Sequence, residues 1–469
     1  MTTFERFPEV FPSPRAVHLD GDTMRVLQEI QVADRFLDSA TPVLGMDMLG
    51  MAGELIFQFR SKGVTDESGW AEGYMFEQPI LERILRGRIA ELENSVVHLG
   101  HEVTGIEADP DGVGLRVRSD SSAGTTETWT KVVVGCCGAR SITRASLGSG
   151  TFDYGVDQRW LVVDVISSNS TDLPEVTVQY CEPGRPSTYV PLPGSRRRFE
   201  LMVLPDEDPD QMVQPESVRQ LVARWLAPDE FVVDRATVYT FHGIVADQWY
   251  RDGLVIAGDA AHQMPPFLGQ GMCAGLRDAT NLAWKIQLVL KGVALPSLLE
   301  TYQGEREPRV RKIIETDLYL GDLIQTRDPE KAAFRDREAT KGGGPTELRP
   351  RAYPIGAVLA SEGAGVGFPL PQPAVQGHIG QDDLLGPGFA LIGPLELTPG
   401  ASQILDRVGT RRIPEPSEFL RAWLQELGVQ CALIRPDRIV LGAFNSPEDL
   451  EIALGPLATH LTPTKDRHS

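Results

Sequence analysis

Residues 258–285 read GDAAHQMPPFLGQGMCAGLRDATNLAWK, and the reading of this stretch decides the fold. The residues just ahead of it, GLVIA, form a short apolar run that reads as a buried strand. Asp259 then stands at the carboxyl end of that strand, where open α/β sheets take their ligands. Its carboxylate can accept a hydrogen bond from a sugar or sugar-alcohol hydroxyl. The loop QMPPFLGQG follows, with Gly269, Gly271 and Gly275 allowing the backbone to approach a flat or phosphorylated ligand closely. Beyond it the spacing of Leu276, Ala279, Ala283, Ile286 and Leu290 predicts a long helix with one apolar face. The first turn of that helix would point free N–H groups and a positive dipole at the ligand. GQG alone is a tight turn of the kind that short glycine motifs match by chance; the whole string argues for a ligand site.

Upstream, DGDTMRVLQEIQVADRFLDS predicts a helix capped by Asp22 or Thr23, and QPILERILRGRIAELEN a second amphipathic helix. HLGHEVTGIEADPDGVGLRVRS reads as two strands joined at DPDG, and TKVVVGCCGARS as a strand entering a glycine-rich loop. From 152 to 245 the texture changes to strands separated by Pro and Gly turns, a mostly antiparallel sheet inserted between two α/β portions. Its SRRRF run, Ser195 to Phe199, reads as a solvated hairpin tip, the alternative being a site for nicotinamide phosphates or a substrate carboxylate. Tyr189, Tyr239 and His242 on this sheet are within reach of a substrate, and His18 and His262 beside the loops read as structural before they read as catalytic. Residues 328–351 are polar, carry GGGP and read as a linker; 352–469 reads as a small separate α/β domain.

The totals narrow the function classes. A formal charge of −20 repels polyanions and anionic membrane surfaces, which argues against nucleic acid as a partner. No apolar run reaches the length of a spanning helix, and the first residues lack a signal-peptide pattern, so the expected location is cytoplasmic. The five cysteines, Cys136, Cys137, Cys181, Cys273 and Cys431, are scattered without metal-ligand spacing and read as free thiols in a reducing compartment. The adjacent pair reads as buried at a strand end.

The string 258–285 resembles the second flavin motif of the class A FAD-dependent aromatic hydroxylases, most closely the 3-(3-hydroxyphenyl)propionate hydroxylase type. PSPRAVHLDGDTMRVLQ, FEQPILERIL, VVGCCGARSITR, DQRWLVVDV, YTFHGIVADQW, TYQGEREPRV and LIRPDRIVLG follow in that family's order. The resemblance implies an α/β fold: an FAD-binding three-layer domain of the glutathione-reductase type at 1–151 and 246–327, a substrate sheet at 152–245, and a thioredoxin-like C-terminal domain. That last domain has no C-x-x-C, so packing or a homodimer contact is its expected role. The implied activity is hydroxylation of a phenolic or polyketide-like aromatic with NAD(P)H and O2 through a C4a-hydroperoxyflavin. The implied FAD contacts are Glu5 to the adenosine ribose, Arg15 near the pyrophosphate, Gln78 beside the flavin, Val103, Asp259 at the ribityl chain, and Pro266, Gly269, Gln270, Gly271 and Met272 along the isoalloxazine.

Two departures from the family pattern stand out. The family places a strand and a G-x-G-x-x-G turn roughly thirty residues ahead of the position matched by Glu5, and here four residues precede it, so the FAD domain is expected to be incomplete. The middle motif G-x-D-G-A-x-S-x-x-R reads GCCGARSITR, with Cys137 where the Asp stands. A flavin-independent relative catalysing a cyclisation or hydrolysis, and an inactive partner subunit, are therefore carried beside the monooxygenase reading.

Overall fold

The structure is a computed structural model describing residues 1–61, 66–109, 114–168, 172–339, 365–373 and 380–463. The strands that position the site are parallel. Thr2–Glu5 pairs with Val96–Leu99, and Val133–Gly135 pairs with Leu254–Ile256, which is followed by the Asp259 turn. Among the described residues, neither Thr2–Glu5 nor Val133–Gly135 carries a strand on its other edge. Val134 is accordingly 39% exposed, and Cys136 and Cys137, expected to be buried, are exposed: a strand at a sheet edge covers its end on one side only.

The largest sheet has seven strands in the order Phe231–Phe241, Gln158–Ser167, Arg196–Met202, Ser187–Pro191, Thr177–Tyr180, Gly45–Leu49 and Leu55–Arg60. It thus recruits two strands from the first α/β portion, through a parallel pairing of Thr177–Tyr180 with Gly45–Leu49. Period-two alternation sends Leu161, Val163, Val165, Phe199 and Leu201 to one face, where Val218 and Val222 of the helix Pro215–Val222 cover them. Trp160, Met202 and Phe241 face the other way, against Met48, Ile324 and Phe267 of the glycine loop.

SRRRF is not a solvated tip. Arg197 and Arg198 are buried within the strand Arg196–Met202, and Arg196 pairs with Glu77 at 3.1 Å and Asp234 at 2.6 Å. The arginines lie in the strand because the turn is made two residues earlier, at Pro193–Gly194, where Gly194 takes φ +65°.

The first predicted helix is two, Gly21–Glu29 and Ala33–Leu37, broken where Gln31 adopts φ 63°. Its cap is Asp20, whose carboxylate accepts from Thr23 N–H at 3.0 Å. Gln78–Ala90 is helical, as is Gly271–Leu290, but the latter's buried face is not the predicted one. Ala279, Ala283 and Leu290 are exposed, whereas Asp278, Asn281, Leu282, Trp284 and Lys285 are buried. Apolar spacing misplaced the face because this helix is enclosed on several sides and buries charges in ion pairs. Part of the 328–351 segment is the helix Pro329–Glu338, capped by Asp328, while 340–351 and the DPDG residues 110–112 lie outside the described residues.

At the C-terminal end a four-stranded sheet, Arg411–Ile413, Ala390–Ile392, Cys431–Ile434 and Val440–Phe444, packs with the helices Pro399–Arg407 and Pro447–Thr459 on Trp284 and Leu288. Buried ion pairs bolt this layer to the rest: Arg25 to Asp382 at 2.7 Å, and Arg435 to Glu305 at 2.8 Å, with Lys285 on the same carboxylate at 3.1 Å. Among the described residues no helix is long and apolar enough to cross a membrane.

Candidate active site

The site grows from the end of the strand Leu254–Ile256. The chain leaves it in a single 3-10 turn, Gly258–Ala260, which needs Gly258 at φ +60°; the Cα of Gly258 lies 3.2 Å from where a Cβ on Gly275 would stand. That close approach seats the turn against the helix Gly271–Leu290. Asp278 of this helix fixes the turn from below. Its carboxylate accepts from Gly258 N–H at 3.0 Å and from Arg306 Nε at 2.8 Å, and meets His262 Nε2 at 2.7 Å. Burial pushes the Asp278 carboxyl up, but His262 and Arg306 outweigh it and hold it at about 2. His262 is fully enclosed in this network, in accord with its structural reading.

Asp259 is different. Its carboxylate reaches solvent and, among the described residues, makes no side-chain hydrogen bond. Desolvation by the surrounding walls raises its pKa above the usual carboxylate range, against the lowering pull of His262 and Arg15. Arg15, exposed and lying 5.2 Å over the Phe11 ring, is therefore in electrostatic reach of Asp259 across some 240 residues of sequence.

Arg15 is placed by its backbone. Gln78 Oε1 accepts from Arg15 N–H at 3.1 Å and Ala16 N–H at 2.9 Å, while the carbonyls of Pro14 and Arg15 accept from Arg198 Nη2 at 2.6 Å and Nη1 at 2.9 Å. Gln78 thus holds the backbone of the Arg15 segment. Two residues on, His18 Nδ1 lies 3.5 Å from the carbonyl of Gly269, itself at φ +63°, so the segment 14–18 and the glycine loop face each other.

The loop ends at Gln270, the N-cap of Gly271–Leu290, whose side chain does not cap the helix. Gln270 Oε1 instead accepts from Arg277 Nη1 at 3.2 Å, and Arg277 Nη2 donates to Asp20 at 2.6 Å. The N–H groups of the first helical turn are left for another acceptor. Pro266, Gly269, Gln270, Gly271 and Met272 are all half-buried along this loop.

Glu5 closes the strand Thr2–Glu5 and accepts from Phe7 N–H at 2.8 Å; Val103 sits in the neighbouring strand Glu102–Ala108, against the core around Ile106. Of the sheet residues, Tyr189 is fully buried on the helix-covered face beside Phe199, away from the loop. Tyr239 lies on the loop side, its hydroxyl accepting from Arg235 Nη1 at 3.0 Å. One strand from His18, whose backbone pairs with Met75, a cavity of about 210 Å³ opens between Pro42, Val43, Leu44, Met75, Pro191 and Leu192, with Glu175 as its charged lining residue.

Sequence reading missed Arg198, Asp164, Arg277 and Asp278. Asp164 gave the available signal: an acid inside the apolar run LVVDVI, here buried and paired with Arg198 at 2.7 Å and Arg235 at 2.8 Å.

A turn-borne carboxylate, an arginine within its electrostatic reach and an open helix N-terminus at the carboxyl ends of parallel strands are features shared with nucleotide-cofactor sites of α/β enzymes. The chain belongs to the FAD binding domain family, whose profile matches residues 1–317. It is 32% identical over 496 residues, covering 100% of this chain and 92% of the relative, to a probable NADH-specific resorcinol 4-hydroxylase of Rhodococcus jostii (strain RHA1). It is 33% identical over 404 residues, 83% of this chain and 74% of the relative, to a 3-(3-hydroxy-phenyl)propionate/3-hydroxycinnamic acid hydroxylase of Burkholderia cenocepacia (strain HI2424). The fold is similar to that of aklavinone-11 hydroxylase in its complex with FAD and aklavinone, with a TM-score of 0.80 at 24% identity over 98% of this chain and 94% of that one.

Proposed function

We propose that the chain is an FAD-dependent monooxygenase that hydroxylates a phenolic ring, with NAD(P)H as reductant. The observation that carries this reading is the carboxylate of Asp259, which makes no hydrogen bond among the described residues, lies within electrostatic reach of Arg15 and heads the loop that leads into the open first turn of Gly271–Leu290. Those donors and that acceptor fit a ligand with hydroxyls, phosphates and a flat ring, the three parts of FAD. When bound, FAD would supply reduction by the nicotinamide and activation of oxygen. Asp259 would accept from the ribityl hydroxyls and the Arg15 guanidinium would face the pyrophosphate. The N–H groups and dipole at Gly271 and Met272 would favour negative charge on the ring system. Glu5 and Val103 would meet the adenosine end.

The aromatic substrate belongs, in this proposal, in the apolar cavity between Val43, Met75 and Leu192. Val43, Met75 and Leu192 offer a ring an apolar wall, and Glu175 at the rim would favour a neutral phenol over one carrying a carboxylate. The free cysteines, two of them exposed and adjacent, support a reducing, cytoplasmic compartment.

Incubation of the purified protein with excess FAD, followed by gel filtration, tests the reading. A yellow protein whose flavin absorbance bleaches on adding NADH or NADPH without oxygen supports it. A colourless protein removes it and leaves a non-redox scaffold.

A further inference from the structure

Asp317 lies in the long helix Ser297–Ile324, 0% exposed. Its Oδ1 accepts the backbone N–H of Leu268, in the glycine loop, at 2.7 Å, and its Oδ2 is buried with no hydrogen-bond partner among the described residues. One turn further along the helix, Gly321 meets the neighbouring loop residue: a Cβ there would stand 2.7 Å from Cε2 of Phe267. One turn further again, Gln325 Oε1 accepts from Trp160 Nε1 at 3.3 Å, and the Trp160 ring lies edge-on to Phe267 at 5.7 Å. Positions 317, 321 and 325 share one helix face by their spacing. Each meets the loop or the tryptophan behind it.

We propose that this stripe is the seat of the glycine loop and that Asp317 is its positioning residue, holding residues 267–268 at the depth the cofactor's ring requires through one hydrogen bond from the Leu268 N–H. The proposal rests on the flavin reading for the loop's ligand, though not for its seating. The chemistry of Asp317 suits a fixed latch. Its carboxyl is walled off from solvent and has no cation in hydrogen-bonding reach among the described residues, so burial pushes its pKa well above the usual carboxylate range. A neutral acceptor is then all that the Leu268 N–H needs, and an amide carbonyl of the same shape supplies it. Gly321 adds a steric term, since any side chain there lifts Phe267.

The test compares Asp317→Asn, Asp317→Ala and Gly321→Ala in the full chain, each with and without Trp160→Phe, so that the emission of Trp160 is isolated by difference. It is read first on protein freed of flavin. The Asn variant should keep the wild-type Trp160 emission and FAD dissociation constant. Asp317→Ala and Gly321→Ala should shift that emission to longer wavelength and raise the FAD dissociation constant by about tenfold, the worth of one hydrogen bond. Thermal unfolding midpoints show that each variant is folded, and Gly321→Ala keeps the test decisive should Asp317→Ala fail to fold. An Asn variant as impaired as the Ala variant, or an unchanged Trp160 signal in Asp317→Ala, overturns the proposal. Because that signal needs no cofactor, a failure of the flavin reading stays separate from a failure of this one.

Discussion

Arg198 Nη1 donates to the carbonyl of Arg15 at 2.9 Å while its Nε holds Asp164 at 2.7 Å. One buried guanidinium therefore ties the large sheet to the segment that presents Arg15. Its five donors in a planar fork serve a carboxylate and two carbonyls at once, which an ammonium cannot do. Arg198→Lys should lower stability and weaken FAD binding by about tenfold, and Arg198→Met should cost roughly 3–5 kcal/mol because it strips a buried carboxylate of its main partner. Urea unfolding and fluorescence titration with FAD measure the two effects.

Acid should unlatch the Asp259 turn. Asp278 is held at about 2 in the folded chain, against about 3.9 for a free aspartate, so its ionised form is favoured by folding. The stability it contributes, roughly 2–3 kcal/mol, is present above pH 4 and is lost as pH falls from about 4 through 2. Glu305, also held at about 2, by Arg435 and Lys285 against its burial, acts in the same window. Asp278→Asn should be less stable at pH 7 and show a shallower loss of stability between about pH 4 and pH 2 in denaturant titrations.

The two adjacent thiols should differ in reactivity. Burial raises Cys137, but hydrogen bonds with Ser141 at 2.9 Å and Thr143 at 3.4 Å more than offset it and bring the thiol below its usual range. The protein packed around the inner side of Cys136 strips water from its thiol and pushes it up to about 11, although the residue as a whole is exposed. Iodoacetamide at pH 8 should alkylate Cys137 first, and Ser141→Ala should slow that reaction, as followed by peptide mass spectrometry. Faster labelling of Cys136 would contradict the assignment.

Charge at the mouth of the apolar cavity should steer substrate choice. Glu175 is exposed at its rim, so Glu175→Gln should raise kcat/KM for a carboxylate-bearing phenol by about two- to fivefold, the scale of an exposed charge interaction, and leave a neutral diphenol unchanged. Leu192→Trp should fill the cavity and raise KM for both without altering FAD affinity.

Much of the site was legible because it is local. The strand, the Asp259 turn, the glycine loop and the helix after it follow one another within 258–285, and periodicity, turn chemistry and the helix dipole act over just such distances. What stayed hidden is non-local. Arg198 reads in sequence as one of three surface arginines; it is buried because its partners Asp164, Pro14 and Arg15 arrive from other parts of the chain. The buried face of Gly271–Leu290 is set by ion pairs with the long helix and the C-terminal layer, so its apolar spacing pointed to the wrong side.

By itself, then, the sequence determined the α/β class, the strand leading into the Asp259 turn, the inserted sheet and the glycine loop before the long helix, because each is written in neighbouring residues. Only the tertiary structure decided that Gln78 bonds to the Arg15 backbone, that Tyr189 faces away from the glycine loop, and that Asp317 meets Leu268 across 49 residues. Those relations depend on which charges lose water together when separate elements pack. Desolvation makes each buried carboxylate or guanidinium costly unless a partner is brought to it, and spacing along a chain does not encode that partner.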